Sequence, residues 1–221
     1  MNISATKPAI GNDIVDLFDS DSLGVLQNTR FIERVFTPQE IHFIQTNSFK
    51  EKTAWAIWAA KEATFKALTR FNPGIRFSPV KFEVFPQQEM VTYEEKSYPV
   101  QSIHTSEYVA SISLNAGKHP TYEYWISDFE TIQKMDQISI YLKKVNSYSE
   151  ESQLCHSYAL WLLENKTGLS DVTIKKASAS PRFAPVIHCA NRPLESLTLS
   201  LSHHGRFCFV ALYNKDSEKN S

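Results

Sequence analysis

From Lys50 to Arg70 the chain contains neither glycine nor proline, and Ala54, Ile57, Trp58, Phe65 and Leu68 recur at helical spacing. A helix this long, with an apolar face, needs a partner layer to cover it. Ser48-Phe49-Lys50-Glu51 reads as a capping box that starts it, and Thr37-Pro38-Gln39-Glu40 reads as a second box, with proline at the first helical position, that starts a shorter helix. A third helical pattern opens at Ser149-Glu150-Glu151-Ser152, carries Leu154, Tyr158, Trp161 and Leu162 on one face, and ends at Gly168.

The partner layer is written around these helices. Ile10 to Leu17 is a short apolar run interrupted by Asp13 and Asp16, the pattern of a strand that carries acids. Val80–Phe85, Tyr98–Ile103, Glu107–Leu114, Thr121–Asp128 and Ile138–Lys143 are rich in β-branched and aromatic residues and predict strands of an antiparallel sheet. Strands return at Val172–Lys176, Leu197–Leu201 and Phe207–Tyr213. The order predicts an α+β fold whose second half echoes its first, with a division between Gly117 and Met135.

Composition narrows the function classes. Hydrophobic residues make up 42% and charged residues 21% of the 221, which excludes a largely disordered chain. Lys and Arg number 23 against 24 Asp and Glu, so the chain lacks the overall basic charge of a nucleic-acid binder. With 6 Gly and no G-x-G-x-x-G, any phosphate must be held by donors other than a glycine-rich loop. Cys155, Cys189 and Cys208 are odd in number and widely spaced, suiting core thiols in a reducing compartment. The first ten residues have no apolar signal region and no run approaches a membrane span, so the expectation is a cytoplasmic protein without a membrane partner.

Three features carry possible chemistry. Asp13 and Glu62 are oxygen donors of the kind magnesium takes. Trp58, Glu62 and Lys66 are spaced by four and share one helix face, a spacing that an exposed Glu62–Lys66 ion pair would explain equally well. Ser200-Leu201-Ser202-His203-His204-Gly205, at a strand end, offers hydroxyls and imidazoles to a phosphate, or else is a polar turn.

In order, these pieces resemble the 4′-phosphopantetheinyl transferase superfamily. Gly11-Asn12-Asp13-Ile14-Val15 is similar to its G-x-D-I-V strand. Arg34-Val35-Phe36-Thr37-Pro38-Gln39-Glu40 is similar to its R-x-F-T-x-x-E segment, and Trp58 to Leu68 to its W-A-A-K-E-A-x-x-K-A-L helix. From about Ile10 to Leu114 the resemblance follows the holo-acyl-carrier-protein synthase branch, whose single domains associate as trimers. The length also suits the branch in which two such units are fused. The resemblance therefore implies two similar lobes, residues 1–120 and 121–221, forming a monomeric pseudodimer.

The implied activity is magnesium-dependent transfer of 4′-phosphopantetheine from coenzyme A to a serine of an acyl or peptidyl carrier protein, releasing 3′,5′-adenosine bisphosphate. Carried over by residue, Asp13 and Glu62 ligate the metal, Glu62 or a water on the metal is the base, and Lys66 meets the phosphates. Ser202 and His203 hold the diphosphate from the other lobe, and Arg182 binds the 3′-phosphate. The second-half strand end follows the acidic strand and helix here, whereas the fused branch places it before them. Asn12 stands where a small or apolar residue is usual and is expected to face away from Asp13. Val15 replaces a third acidic ligand of the fused branch. Asp19 and Asp21 replace carrier-docking arginines, leaving Arg30, Arg34, Lys50 and Lys52 for an acidic carrier. The alternative reading is an inactive carrier-binding or coenzyme-A-binding protein of the same fold.

Overall fold

The computed structural model describes residues 9–72, 74–115, 122–145, 149–176 and 184–216. The chain opens with strand β1 (Ala9–Asp16), followed by helices α1 (Thr29–Val35), α2 (Pro38–Thr46) and α3 (Lys50–Thr69). Strands β2 (Glu83–Phe85), β3 (Met90–Tyr93), β4 (Lys96–His104) and β5 (Tyr108–Asn115) come next. They close a five-stranded sheet in the order β1-β5-β4-β3-β2, with every neighbour antiparallel.

The second half repeats the plan. Strand β6 (Tyr122–Asp128) is followed by helices α4 (Phe129–Gln133), α5 (Ile138–Leu142) and α6 (Glu150–Thr167). Then come β7 (Val172–Lys176), β8 (Pro185–Cys189), β9 (Arg192–Pro193), β10 (Leu197–His204) and β11 (Phe207–Asn214). The leading strand again pairs with the last, giving a sheet β10-β11-β6 that mirrors β4-β5-β1, while β7-β8-β9 forms a separate small sheet.

The helix starts show which capping signals compete successfully. At Thr37 both halves of the box form, with the Thr37 hydroxyl accepting from Glu40 N–H and Glu40 Oε2 accepting from Thr37 N–H. The Ser48 box does not form. Only three residues separate α2 from α3, and Asn47 Oδ1 takes the Phe49 N–H at 3.0 Å, so α3 starts at Lys50 without a side-chain cap. Ser149 and Gly168, the latter at φ +68°, bound α6 as their residue types dictate.

Ile138–Lys143, expected as a strand, is the helix α5. Ile138 and Tyr141, three apart, both bury, and Tyr141 Oη donates to Glu164 Oε2 on α6 at 2.8 Å. That i,i+3 contact outweighs β-branched composition in so short a run. Val80–Phe85 is a 3-10 turn over Pro79–Lys81 before β2 begins.

The core falls into three clusters. One lies wholly within the first half, from Val15 to Val109, and packs α3 on its sheet. A second lies wholly within the second half, from Ile132 to Leu212, and packs α6 on β10 and β11. The third joins them: Ile10, Ile14 and Ile112 meet Phe207, Phe209, Ala211 and Tyr213. Along this seam Asn12 and Ser200 exchange two hydrogen bonds, and Asp16 N–H donates to His204 Nδ1 at 3.2 Å. The contacts advance together from 12 and 200 to 16 and 204, so β1 and β10 run side by side in the same direction, joined through side chains. Asp16 closes the seam by accepting from Arg206 Nε at 2.8 Å and Nη2 at 2.9 Å. Gly205, at φ +51°, permits this approach, since a Cβ there would lie 2.6 Å from Asp16 Oδ2.

Candidate active site

The site begins with the contact between β1 and α3. A Cβ on Gly11 would fall 2.0 Å from Ala63 O and 2.5 Å from Ala67 N, so only glycine lets the strand lie directly on the helix backbone. Strand alternation then sends Asp13 toward α3 and Asn12 toward β11, where Asn12 Nδ2 donates to Phe209 O at 2.9 Å. The expectation that Asn12 faces away from Asp13 holds.

Lys66 Nζ bonds to Asp13 Oδ1 at 2.7 Å and to Asn12 O at 3.1 Å. Lys66 thus pairs with Asp13 across the strand–helix contact and also lies in the field of Glu62 on its own helix face. Burial pulls the Lys66 pKa down, but the charges of Asp13 and Glu62 outweigh it and raise it, so Lys66 is a cation throughout the neutral range. For Asp13, burial pushes the carboxyl up while Lys66 and His204 pull it down.

Along the same stretch of α3, a cavity of about 200 Å³ opens between the two halves. Glu62, Lys66 and Arg70 line one side, and Ala184, Pro185, Ser200 and Leu201 line the other. Ser202 does not share that lining: it is 6% exposed and its Oγ has no hydrogen-bond partner. The strand end therefore presents Ser200, rather than Ser202, to the cavity. His203 is exposed, with its ring 6.3 Å from that of Phe129. Though its surface is open to solvent, the protein packed around the ring lowers its pKa against the pull of Glu151, with Lys66, His156 and His204 lowering it further. Arg182 lies outside the described residues.

Arg30 and Arg34 line a groove of about 550 Å³ with Phe31, Trp58 and Phe77, on the helix face that carries Glu62. Lys50 and Lys52 sit in the first turn of α3. Among the described residues no trio of His, Cys, Asp and Glu side chains forms a metal cage. Asp13 and Glu62 are nonetheless oxygen donors of the kind that would suit magnesium, which takes one or two carboxylates and completes its shell with water and phosphate oxygens. Among the same residues no helix is long and apolar enough to cross a membrane.

Three functional or structural partners were not singled out by sequence reasoning. Lys61, in the helix motif, is fully buried against Glu40. Arg206 grips Asp16, and Arg70 enters the cavity. Arg70 was legible in principle, because 58, 62, 66 and 70 continue one helix face.

A strand bearing an aspartate, laid on a glutamate-lysine helix at the edge of a cleft, defines the class. The chain belongs to the 4′-phosphopantetheinyl transferase superfamily, whose family model matches residues 9–119, the span from β1 through β5. It is also similar to fatty acid synthase subunit alpha of Candida parapsilosis, 46% identical over 67 residues. The subunit of the same name from Saccharomyces cerevisiae is 39% identical over 67 residues. Each match covers 30% of this chain, which spans only 3% and 4% of the length of those relatives.

Proposed function

We propose that the chain transfers 4′-phosphopantetheine from coenzyme A to a serine of an acyl or peptidyl carrier protein, at a cleft between two similar lobes of one polypeptide. The observation that carries this reading is the cavity in which Glu62 and Lys66 of the first half face Ser200 and Leu201 of the second. The repeated strand order and the two separate cores support lobes near 1–120 and 121–221 that act as a monomeric pseudodimer. The name of the relatives makes a fatty-acid carrier the first substrate to test.

In this reaction the serine Oγ attacks the phosphorus next to pantetheine. The bond from that phosphorus to the bridging oxygen breaks, and 3′,5′-adenosine bisphosphate leaves with the electron pair. Asp13 and Glu62 would hold magnesium, which supplies charge neutralisation to the diphosphate when bound. Lys66 balances charge on the phosphates, and Glu62 is the candidate acceptor for the serine proton. His203, at the strand end of the second half, is a further donor to the phosphates, and Arg30 and Arg34 receive the acidic carrier beside Trp58.

Mass spectrometry of an apo carrier incubated with coenzyme A and magnesium tests the reading. Wild type forms holo carrier, and Glu62→Ala forms at least ~100-fold less, the scale of losing a positioned acid-base group, with its melting temperature retained. Tight carrier binding without transfer, across several carriers, would establish instead an inactive binding protein of this fold.

A further inference from the structure

Arg70 ends α3 one turn beyond Lys66, and its guanidinium enters the wall of the cavity beside Pro185 and Ser200. Its acceptors are all neutral backbone carbonyls: Nε donates to Ile10 O at 3.2 Å, Nη1 to Pro185 O at 3.5 Å, and Nη2 to Leu199 O. Among the described residues no carboxylate pairs with it, although Lys66, Lys61 and Arg206 each have at least one. The C-terminal dipole of α3 supplies only about half a charge. Burial alone acts on its ionisation, lowering the pKa to about 10.

A guanidinium has five N–H donors. Three are used here, leaving one on each terminal nitrogen for phosphate oxygens. A cation partly removed from water beside a cleft, without an anion of its own, is poised for one that arrives with the ligand.

We infer that Arg70 is a phosphate-binding residue of the cleft, holding a phosphate group of the coenzyme A co-substrate with the donors that its carbonyl partners leave free. This rests on the transferase reading above. It adds a contact outside the helix motif through which that reading was reached. The same side chain ties α3 to β8 and β10, so ligand binding and the junction of the two halves share one residue.

Calorimetric titration of the full chain with coenzyme A tests the inference. Losing a hydrogen bond to a charged group costs about 1.5–3 kcal/mol, so Arg70→Gln should bind coenzyme A roughly 10- to 100-fold more weakly, with a shallower salt dependence. Arg70→Lys, which keeps the charge but not the guanidinium, should fall between Arg70→Gln and wild type. If the Gln variant does not fold, an Arg70→Lys affinity equal to wild type overturns the inference. A Gln variant that melts lower but binds coenzyme A within twofold of wild type also overturns it, leaving Arg70 a strut between the halves. Titration with 3′-dephospho-coenzyme A locates the contact: a persisting loss assigns it to the diphosphate, and a vanished loss to the 3′-phosphate. A wild type that binds coenzyme A with this Arg70 dependence but modifies no carrier would retain the inference while refuting the transferase reading.

Discussion

Replacing Lys61 by Met should destabilise the protein far more than its place next to Glu62 would imply. Lys61 is fully buried, and its three donors are matched by three acceptors: Val35 O at 2.7 Å, Glu40 Oε2 at 2.6 Å and Pro79 O at 3.1 Å. Glu40 is equally committed, accepting from Thr37 N–H and Val84 N–H at 2.8 Å each. Burial pushes the Glu40 carboxyl up and the Lys61 ammonium down, so the pair holds its charges against desolvation only because each faces the other. Removing the ammonium strands a carboxylate in the core, a loss of about 3–5 kcal/mol. For a chain of this size each kcal/mol shifts the midpoint by about 2–4 °C, giving a fall of roughly 6–20 °C. Glu40→Gln and the double variant complete a thermodynamic cycle measured by denaturant titration, with an expected coupling of about 1–3 kcal/mol. A Lys61→Met loss below about 1 kcal/mol, or strictly additive single losses, would refute the account of a satisfied buried pair.

Other outcomes follow from the same geometry. Gly11→Ala forces β1 off α3 and should cost at least about 1–3 kcal/mol, with transfer activity falling because Asp13 moves from Lys66; unchanged melting and activity would contradict the close contact. Ser202→Ala removes a buried hydroxyl that has no partner, so stability should hold or rise, as read by thermal unfolding; a loss above ~1 kcal/mol would reveal a hydrogen bond to that hydroxyl. For Asp16, burial acts upward but hydrogen bonds from Arg206 and Phe18 prevail, lowering the pKa from 3.8 to about 2. Its stabilisation is therefore complete above 3.8 and is lost as pH falls through about 2. Asp16→Asn should flatten that part of the acid-unfolding curve, and an identical slope in both proteins would exclude the Arg206 clasp as its source.

Much of the site was legible because its signals are local. The capping box at Thr37, the face shared by Glu62 and Lys66, and the strand alternation that separates Asn12 from Asp13 each depend on neighbours within a turn or two residues. What escaped depends on distant partners. Nothing near Lys61 in the chain announces Glu40, nothing near Asp16 announces Arg206, and Ser200 and Ser202 differ only through the strand that packs on them. Phe49 shows the converse, where a well-formed local box at Ser48 loses to the side chain of Asn47.

The side-by-side passage of β1 and β10 also bears on dilution. Its contacts, among them the paired Asn12 and Ser200, join strands 188 positions apart in a single chain. Two separate protomers meeting through such a surface would part at low concentration. A covalent tether instead fixes the effective concentration of one half at the other. On the proposed single-chain reading, activity per molecule at the cleft should therefore be independent of protein concentration, and a weakened seam would appear as faster local opening rather than as dissociation.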